Sequence, residues 1–185
     1  MNKNKRTIKN GWLSNVSIVP SVNKNLRPDP ADIRLIVIHN ISLPPNNFGG
    51  DYVDRFFCNE LDPHEHPYFQ QIYQLKVSAH LFIKRDGRIS QYVPFHERAW
   101  HAGVSNYRGE ENCNDFSIGI ELEGADHIPY TEAQYQQLSD CCQALVQHYP
   151  LLDSEQITGH CDVSPGRKTD PGDSFDWALI KRLNN

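Results

Sequence analysis

Two histidines and one aspartate are the residues best suited to hold a metal ion. His39 ends the run 35–39, which is short and mostly β-branched and therefore typical of a buried strand. His160 follows a short apparent strand over 156–159, and Asp170 lies ten residues later in a loop rich in Pro and Gly. Two neutral imidazoles and one carboxylate can form a zinc site that leaves a fourth position open for water. In an HExxH motif the helix brings two histidines together, whereas the spacing of His39 and His160 does not. The alternative to a zinc site is therefore that both are ordinary hydrogen-bonded histidines at strand ends.

A metal-bound water needs a proton acceptor, and two glutamates are candidates. Residues 117–122 are predicted to form a strand, and alternation along it and just beyond puts Ile118 and Ile120 on one face. Glu121 and Glu123 then lie on the other face. A carboxylate beside a metal ion can take the proton from bound water. Alternation alone does not distinguish this role from that of two solvated glutamates at the end of a sheet.

Three further side chains are candidates for substrate contacts. Lys168 could stabilise the oxyanion that develops when an amide carbonyl is attacked, and Arg167 could pair with a substrate carboxylate. Trp100 lies among small residues and could stack on a sugar ring with its apolar face. Solvated loop cations and a core tryptophan are the ordinary alternatives. His80 falls inside a predicted strand and is interpreted as a hydrogen-bonded core histidine.

Composition and charge narrow the function classes. The 185 residues suit one domain, and 38% hydrophobic with 22% charged residues indicates a folded globular chain. A net charge of −5 argues against nucleic-acid or anionic-membrane partners. No apolar run approaches the roughly 18–20 residues that span a bilayer. The basic segment 1–10 is not followed by an apolar signal region, so a cytoplasmic location is expected.

The five cysteines predict reduced thiols rather than a disulfide framework, because their number is odd and no CxxC pair occurs. Cys161 adjoins His160, which raises a Cys/His nucleophile as an alternative. Neighbouring side chains of an extended segment point apart, so direct activation of this thiol is not favoured.

The remaining patterns predict an α/β domain whose mixed sheet is flanked by helices. Asp86-Gly87 between the apolar runs 77–83 and 89–93 predicts a hairpin. A capping box formed by Thr131 and Gln134 predicts a helix to about residue 148. A last helix is expected over about 175–183, with Ser174 as its cap. Residues 1–31 are expected to form an irregular arm, and within 41–76 only 52–58 is predicted helical.

Several motifs resemble the amidase-2 type of N-acetylmuramoyl-L-alanine amidase, and in particular its cytoplasmic AmpD-type members. They are Val37-Ile38-His39-Asn40, Ala99-Trp100-His101-Ala102-Gly103, residues 114–121, Thr158-Gly159-His160 and Lys168-Thr169-Asp170-Pro171-Gly172. Segments that resemble the AmpD-type members include Gly11-Trp12-Leu13 and Ser174-Phe175-Asp176-Trp177, so the resemblance extends over about residues 11–183. The resemblance implies the fold shared by peptidoglycan recognition proteins and T7 lysozyme. It also implies a single amidase domain over 11–185, with an insertion at 41–76 near the active site and a basic tail at 1–10.

The resemblance also assigns roles to individual residues. His39, His160 and Asp170 match the ligands of one zinc ion. Glu121, rather than Glu123, matches the catalytic glutamate, and Lys168 matches the residue that stabilises the transition state. The expected substrate contacts are Asn40, Trp100 and Arg167.

The substrate implied by the resemblance is a small muropeptide that carries 1,6-anhydro-N-acetylmuramic acid. Cleavage separates its lactyl carbonyl from L-alanine during peptidoglycan recycling, which links the activity to β-lactamase induction. No obligate protein partner is implied. Asn112 stands where one well-known member of the family has an arginine that helps to bind the stem peptide. The alternatives are a broader peptidoglycan amidase and a non-catalytic recognition module of the same fold.

Overall fold

A computed structural model of the chain describes residues 6–184. Its helices are α1 (Tyr52–Phe57), α2 (Phe69–Ile72), α3 (Glu132–His148), α4 (His160–Val163) and α5 (Trp177–Asn184), with a 3-10 turn at Cys113–Asp115. The first six strands are β1 (Ile8–Lys9), β2 (Trp12–Leu13), β3 (Ser17–Ile18), β4 (Lys24–Leu26), β5 (Leu35–Ile41) and β6 (Leu81–Ile83). The others are β7 (Ile89–Gln91), β8 (Glu97–Ala99), β9 (Asn106–Tyr107), β10 (Glu110–Glu111), β11 (Ser117–Glu123) and β12 (Ile157–Gly159).

A six-stranded mixed sheet forms the centre of the fold, in the order β12-β5-β11-β6-β7-β3. Strands β12, β5, β11 and β6 are mutually parallel, whereas β6 and β7 form the predicted antiparallel hairpin. In the pairing of β11 with β5, Glu121 lies opposite His39. His160 directly follows β12. The carboxyl ends of parallel strands share one edge of a sheet, which is where ligands bind in α/β folds.

One face of the central sheet packs against helix α3. Ile118, Ile120 and Leu122 point towards the main core, where they pack with Leu138 and Leu145 of α3. This confirms the predicted alternation along β11. The capping box at the start of α3 is present, with the Thr131 hydroxyl accepting from the Gln134 amide and the Gln134 side chain accepting from the Thr131 amide.

The segment 41–76 has a hydrophobic cluster of its own. Its buried members include Leu43, Phe56, Phe57 and Phe69, which pack with Tyr92 and other residues of the β6–β7 side. Lys84 forms an ion pair with Asp54 at 2.9 Å and ties α1 to the hairpin. Buried aromatic residues of the insertion thus pack into one cluster with the hairpin side of the sheet.

Glu123 connects this insertion to the sheet. Its side chain is buried, and its two carboxylate oxygens accept from the backbone amides of Gly49 and Arg85. Both donors belong to loops rather than to the sheet. Glu123 is therefore a structural tie between the insertion and the hairpin.

The expected irregular arm is wrong in part. Segment β3 pairs with β7 and forms an edge of the main sheet. Val19 N donates to Gln91 O at 2.9 Å just beyond this pairing. The buried side-chain amide of Gln91 also accepts from Leu13 N at 2.7 Å and donates to Gly11 O at 2.9 Å. Residues 1–5 of the predicted basic tail lie outside the described residues.

The last helix begins at Trp177, two residues later than predicted. Phe175 is buried against Tyr130 and Tyr135 and lies before the start of the helix. Asp176 accepts from Leu179 N at 2.8 Å and takes the capping role expected of Ser174. No helix within residues 6–184 is long and apolar enough to cross a bilayer.

Candidate active site

The predicted metal ligands form a compact triangle at the carboxyl edge of the sheet. His39 Nδ1 lies 2.9 Å from His160 Nδ1 and 3.2 Å from Asp170 Oδ2, and the third side measures 3.0 Å. Both imidazoles are buried, and they come from neighbouring strands that pair in parallel. The loop carrying Asp170 is fastened by a hydrogen bond from Cys161 N to Asp170 O at 2.9 Å.

The donor chemistry of this triangle fits a zinc ion. His160 Nε2 faces the carbonyl oxygen of Ala102 at 3.0 Å, so Nε2 carries the hydrogen and Nδ1 carries a lone pair. The Nε2 atom of His39 also has a hydrogen-bond partner away from the triangle, because it lies 3.0 Å from His101 Nδ1. Zn–N and Zn–O bonds of about 2.0–2.2 Å in a tetrahedron place ligand atoms roughly 3.3 Å apart. The observed separations of 2.9, 3.0 and 3.2 Å lie slightly below this spacing.

Ionisation states agree with metal binding. Burial lowers the pKa of His39 to about 4, so this imidazole is neutral at pH 7. Burial opposes ionisation of Asp170, but the close approach of His160 and His39 outweighs it and holds the carboxyl pKa below its ordinary value. Neutral imidazoles and an ionised carboxylate are the forms that bind a metal ion.

Glu121 lies beside the triangle with one oxygen unpaired. Its side chain is buried, and Oε2 has no hydrogen-bond partner within residues 6–184. Burial raises the pKa of this carboxyl well above its ordinary value, and Asp170 adds to the shift while Lys168 opposes it. A buried carboxylate with a raised pKa is suited to take up and release a proton near neutral pH. Because Glu123 is fully engaged elsewhere, the structure separates the two glutamates that alternation left equivalent.

All the predicted site residues line one cavity of about 550 Å³. They are His39, Asn40, Trp100, Glu121, His160, Arg167, Lys168 and Asp170. The insertion contributes Leu43, Phe56 and Tyr68 to the lining of this cavity. The cavity therefore combines the metal triangle with an apolar and aromatic wall, as expected for a ligand that is part sugar and part peptide.

The three expected substrate contacts also have structural partners. Asn40 Nδ2 donates to Asp126 Oδ1 at 2.8 Å and to Pro171 O at 3.1 Å, which braces the loop of Asp170. The Trp100 indole donates to Asn25 at 2.7 Å. Arg167 uses one terminal nitrogen, Nη2, for the carbonyls of Ala102 and Val104 and the hydroxyl of Ser164.

Other side chains support the site and were missed by sequence reasoning. Tyr130 donates to Pro171 O at 2.7 Å, and Asn114 Oδ1 accepts from the backbone amides of both His101 and Ala102. These partners are far from their targets in the chain, so no local pattern shows them. His101 did carry a signal, because it lies inside a quoted motif beside Trp100.

The structure also bears on His80, which is predicted to be a core histidine, and on Cys161, which is an alternative nucleophile. His80 is a buried, hydrogen-bonded histidine as predicted, since Nδ1 accepts from Gly119 N and Nε2 lies 3.1 Å from Glu97 O. Burial raises the pKa of the Cys161 thiol, which opposes formation of a nucleophilic thiolate. All five cysteines are free.

Comparison with known proteins gives the class of this fold and site. The family model for N-acetylmuramoyl-L-alanine amidase matches residues 29–173. The chain belongs to this amidase family. Within the family it is similar to the 1,6-anhydro-N-acetylmuramyl-L-alanine amidase AmpD of Citrobacter freundii, with 57% identity over 173 residues that cover 94% of this chain and 92% of the relative.

Solved structures agree with this placement. The crystal structure of a Se-Met AmpD derivative superposes with a TM-score of 0.93 at 55% identity, over 96% of this chain and 99% of that one. A complex of the amidase AmiD from E. coli with anhydro-N-acetylmuramic acid-L-Ala-D-gamma-Glu-L-Lys has a TM-score of 0.61 at 26% identity. That match covers 97% of this chain and 65% of AmiD. The predicted amidase fold is thus confirmed.

Proposed function

We propose that this protein uses zinc to hydrolyse the amide bond between the lactyl group of 1,6-anhydro-N-acetylmuramic acid and L-alanine in muropeptides. The main support for this proposal is the buried triangle of His39, His160 and Asp170, together with the unpaired oxygen of Glu121 in the same cavity. High identity to AmpD over nearly the whole chain supports the anhydro-sugar substrate, and so does the muropeptide bound by AmiD. The proposed setting is cytoplasmic peptidoglycan recycling, through which the enzyme would influence β-lactamase induction.

Glu121 has the central role in the proposed mechanism. When bound by His39, His160 and Asp170, zinc supplies a Lewis acid that polarises a carbonyl and acidifies water. Glu121 takes a proton from the attacking water at Oε2 and returns it to the nitrogen of L-alanine as the amide C–N bond breaks. Its raised pKa suits both steps, since the carboxyl group must first accept and then donate.

Lys168 is proposed to stabilise the negative charge that develops on the carbonyl oxygen. Its side chain is exposed at the cavity wall, and its ammonium has no ion-pair partner in the described part of the chain. The charge lies close enough to lower the pKa values of His39 and Glu121. An unpaired cation facing the reacting group is available for an oxyanion that appears only in the transition state.

Trp100 and Arg167, which also line the cavity, are proposed to bind the two ends of the muropeptide. The apolar face of Trp100 would contact the anhydro-sugar. Arg167 retains Nη1 for a stem-peptide carboxylate, because its observed bonds all use Nη2. Asn40 would act by holding the Asp170 loop in place.

Mass spectrometry of products from an anhydro-muropeptide tests the proposal. We expect free stem peptide and anhydro-N-acetylmuramic acid, no products after treatment with a chelator, and recovery on addition of zinc. Release from intact sacculi at a comparable rate would instead favour a broader amidase. A protein that binds the muropeptide without cleaving it would be a recognition module, and cleavage that persists in chelator would contradict zinc dependence.

Changing Lys168 to alanine is expected to lower kcat by about 10²–10³-fold, the usual cost of one lost oxyanion donor. KM should change little, because the ammonium acts on charge that is absent from the bound substrate. Steady-state kinetics on the anhydro-muropeptide give both constants. Lys76→Ala, at another exposed lysine, serves as the control and should leave kcat unchanged. An unaltered kcat in Lys168→Ala would contradict the assigned role.

A further inference from the structure

A line of hydrogen-bonding side chains runs from His39 away from the metal triangle. His39 Nε2 lies 3.0 Å from His101 Nδ1, and His101 Nε2 lies 3.3 Å from Ser117 Oγ. The Ser117 hydroxyl in turn donates to the carbonyl oxygen of Cys113. The proposed mechanism uses neither His101 nor Ser117.

The direction of every bond in this line is fixed by its last member. A carbonyl oxygen only accepts, so the single hydroxyl hydrogen of Ser117 points to Cys113. Ser117 Oγ must then accept from His101, which places the hydrogen of His101 on Nε2 and a lone pair on Nδ1. That lone pair accepts from His39 Nε2–H. The Nδ1 atom of His39 is thereby left with a lone pair directed at the triangle.

The chain holds His101 in place through two independent contacts. Asn114 Oδ1 accepts from the backbone amides of His101 and Ala102 at 3.1 and 2.8 Å. The ring lies over Gly119 in β11, where an added Cβ would overlap it. The same turn presents the carbonyl of Ala102 to His160 Nε2. One dipeptide therefore fixes the outer nitrogens of both imidazoles in the triangle.

We propose that His101 is a positioning residue that, with Ser117 behind it, sets the tautomer and ring orientation of His39 for zinc. This inference rests on the proposed zinc dependence. Groups that hold the outer nitrogen of a metal-binding histidine typically contribute 10–100-fold to metal affinity. We therefore predict that loss of His101 weakens zinc binding itself, separately from any effect on turnover.

Zinc affinity of purified variants, measured by competition with a chromophoric chelator, tests this inference. His101→Leu keeps approximate volume and removes both nitrogens, and we expect its Kd for zinc to rise about 10–100-fold. His101→Asn places a carbonyl oxygen near the Nδ1 position and should recover most of the affinity. His80→Leu is the matched control, because His80 is a buried histidine whose ring lies 5.8 Å from that of His101 and does not contact His39.

Thermal unfolding of the metal-free proteins separates positioning from general structural support. A purely structural role would lower the melting temperature of His101→Leu while its zinc Kd stays within about twofold of the parent, and this would overturn the inference. If His101→Leu does not fold, Ser117→Ala decides, since it keeps the ring and removes only its acceptor. Unchanged zinc affinity in Ser117→Ala would then overturn the inference. Failure of the parent protein to bind zinc would instead refute the proposed function.

Discussion

Replacing Glu121 with glutamine is expected to lower kcat by about 10²–10⁴-fold, the range of a lost general base, while zinc stays bound. Glutamine has nearly the same shape, so the cavity and the triangle are preserved, but its amide cannot take up a proton. A buried carboxylate with an unpaired oxygen is costly to ionise. The Glu121→Gln protein should therefore be at least as stable as the parent. Kinetics on an anhydro-muropeptide, zinc analysis and urea unfolding measure the three quantities.

Glu123 offers a control on the same face of the same strand. Its carboxylate accepts from Gly49 N and Arg85 N, and an amide group can satisfy only one of these donors. Glu123→Gln should lose about 1.5–3 kcal/mol of unfolding free energy, the usual contribution of a hydrogen bond to a charged group. Its kcat should stay within a few fold of the parent. The opposite pattern, with turnover lost in Glu123→Gln and kept in Glu121→Gln, would exchange the two roles.

This contrast shows how far the sequence could predict the site. Alternation along one strand places Glu121 and Glu123 on the same face, so the sequence alone left their roles open and the family resemblance selected Glu121. The difference lies in their partners. Gly49 and Arg85 are 74 and 38 residues from Glu123 along the chain, and only the fold brings them within hydrogen-bonding distance.

The same distinction holds for the fold. Local signals predicted the capping box of α3, the turn at Gly87 and the strand before His39, because each depends on neighbours in the chain. The start of α5 and the pairing of β3 were not predicted. Both involve partners from distant segments, namely the two tyrosines around Phe175 and strand β7. Sequence reasoning succeeds here where the determining contact is local.

Changing Asp170 to asparagine is expected to weaken zinc binding by more than about 100-fold. The triangle consists of two imidazoles and one carboxylate, so Asp170 supplies its only negative charge. The loss should exceed the roughly 10–100-fold typical of partners outside the coordination sphere. Activity at ordinary zinc concentration should disappear and should return in part when zinc is raised, because mass action compensates for weak binding. Chelator competition and zinc titration of turnover measure both effects.

Asp162 is the matched control because it lies in α4, eight residues before Asp170, and is also an acceptor. Its Oδ2 accepts from Gly159 N and from the Thr158 hydroxyl, each at 2.9 Å, and it does not belong to the triangle. Asp162→Asn should bind zinc as the parent does, even if the turn before His160 becomes less stable. Equal loss of zinc in both variants would mean that Asp170 acts only by holding the loop. A loss confined to Asp170→Asn would favour direct contact between its carboxylate and the ion, because both substitutions remove one negative charge from the segment around His160 and only Asp170 belongs to the triangle.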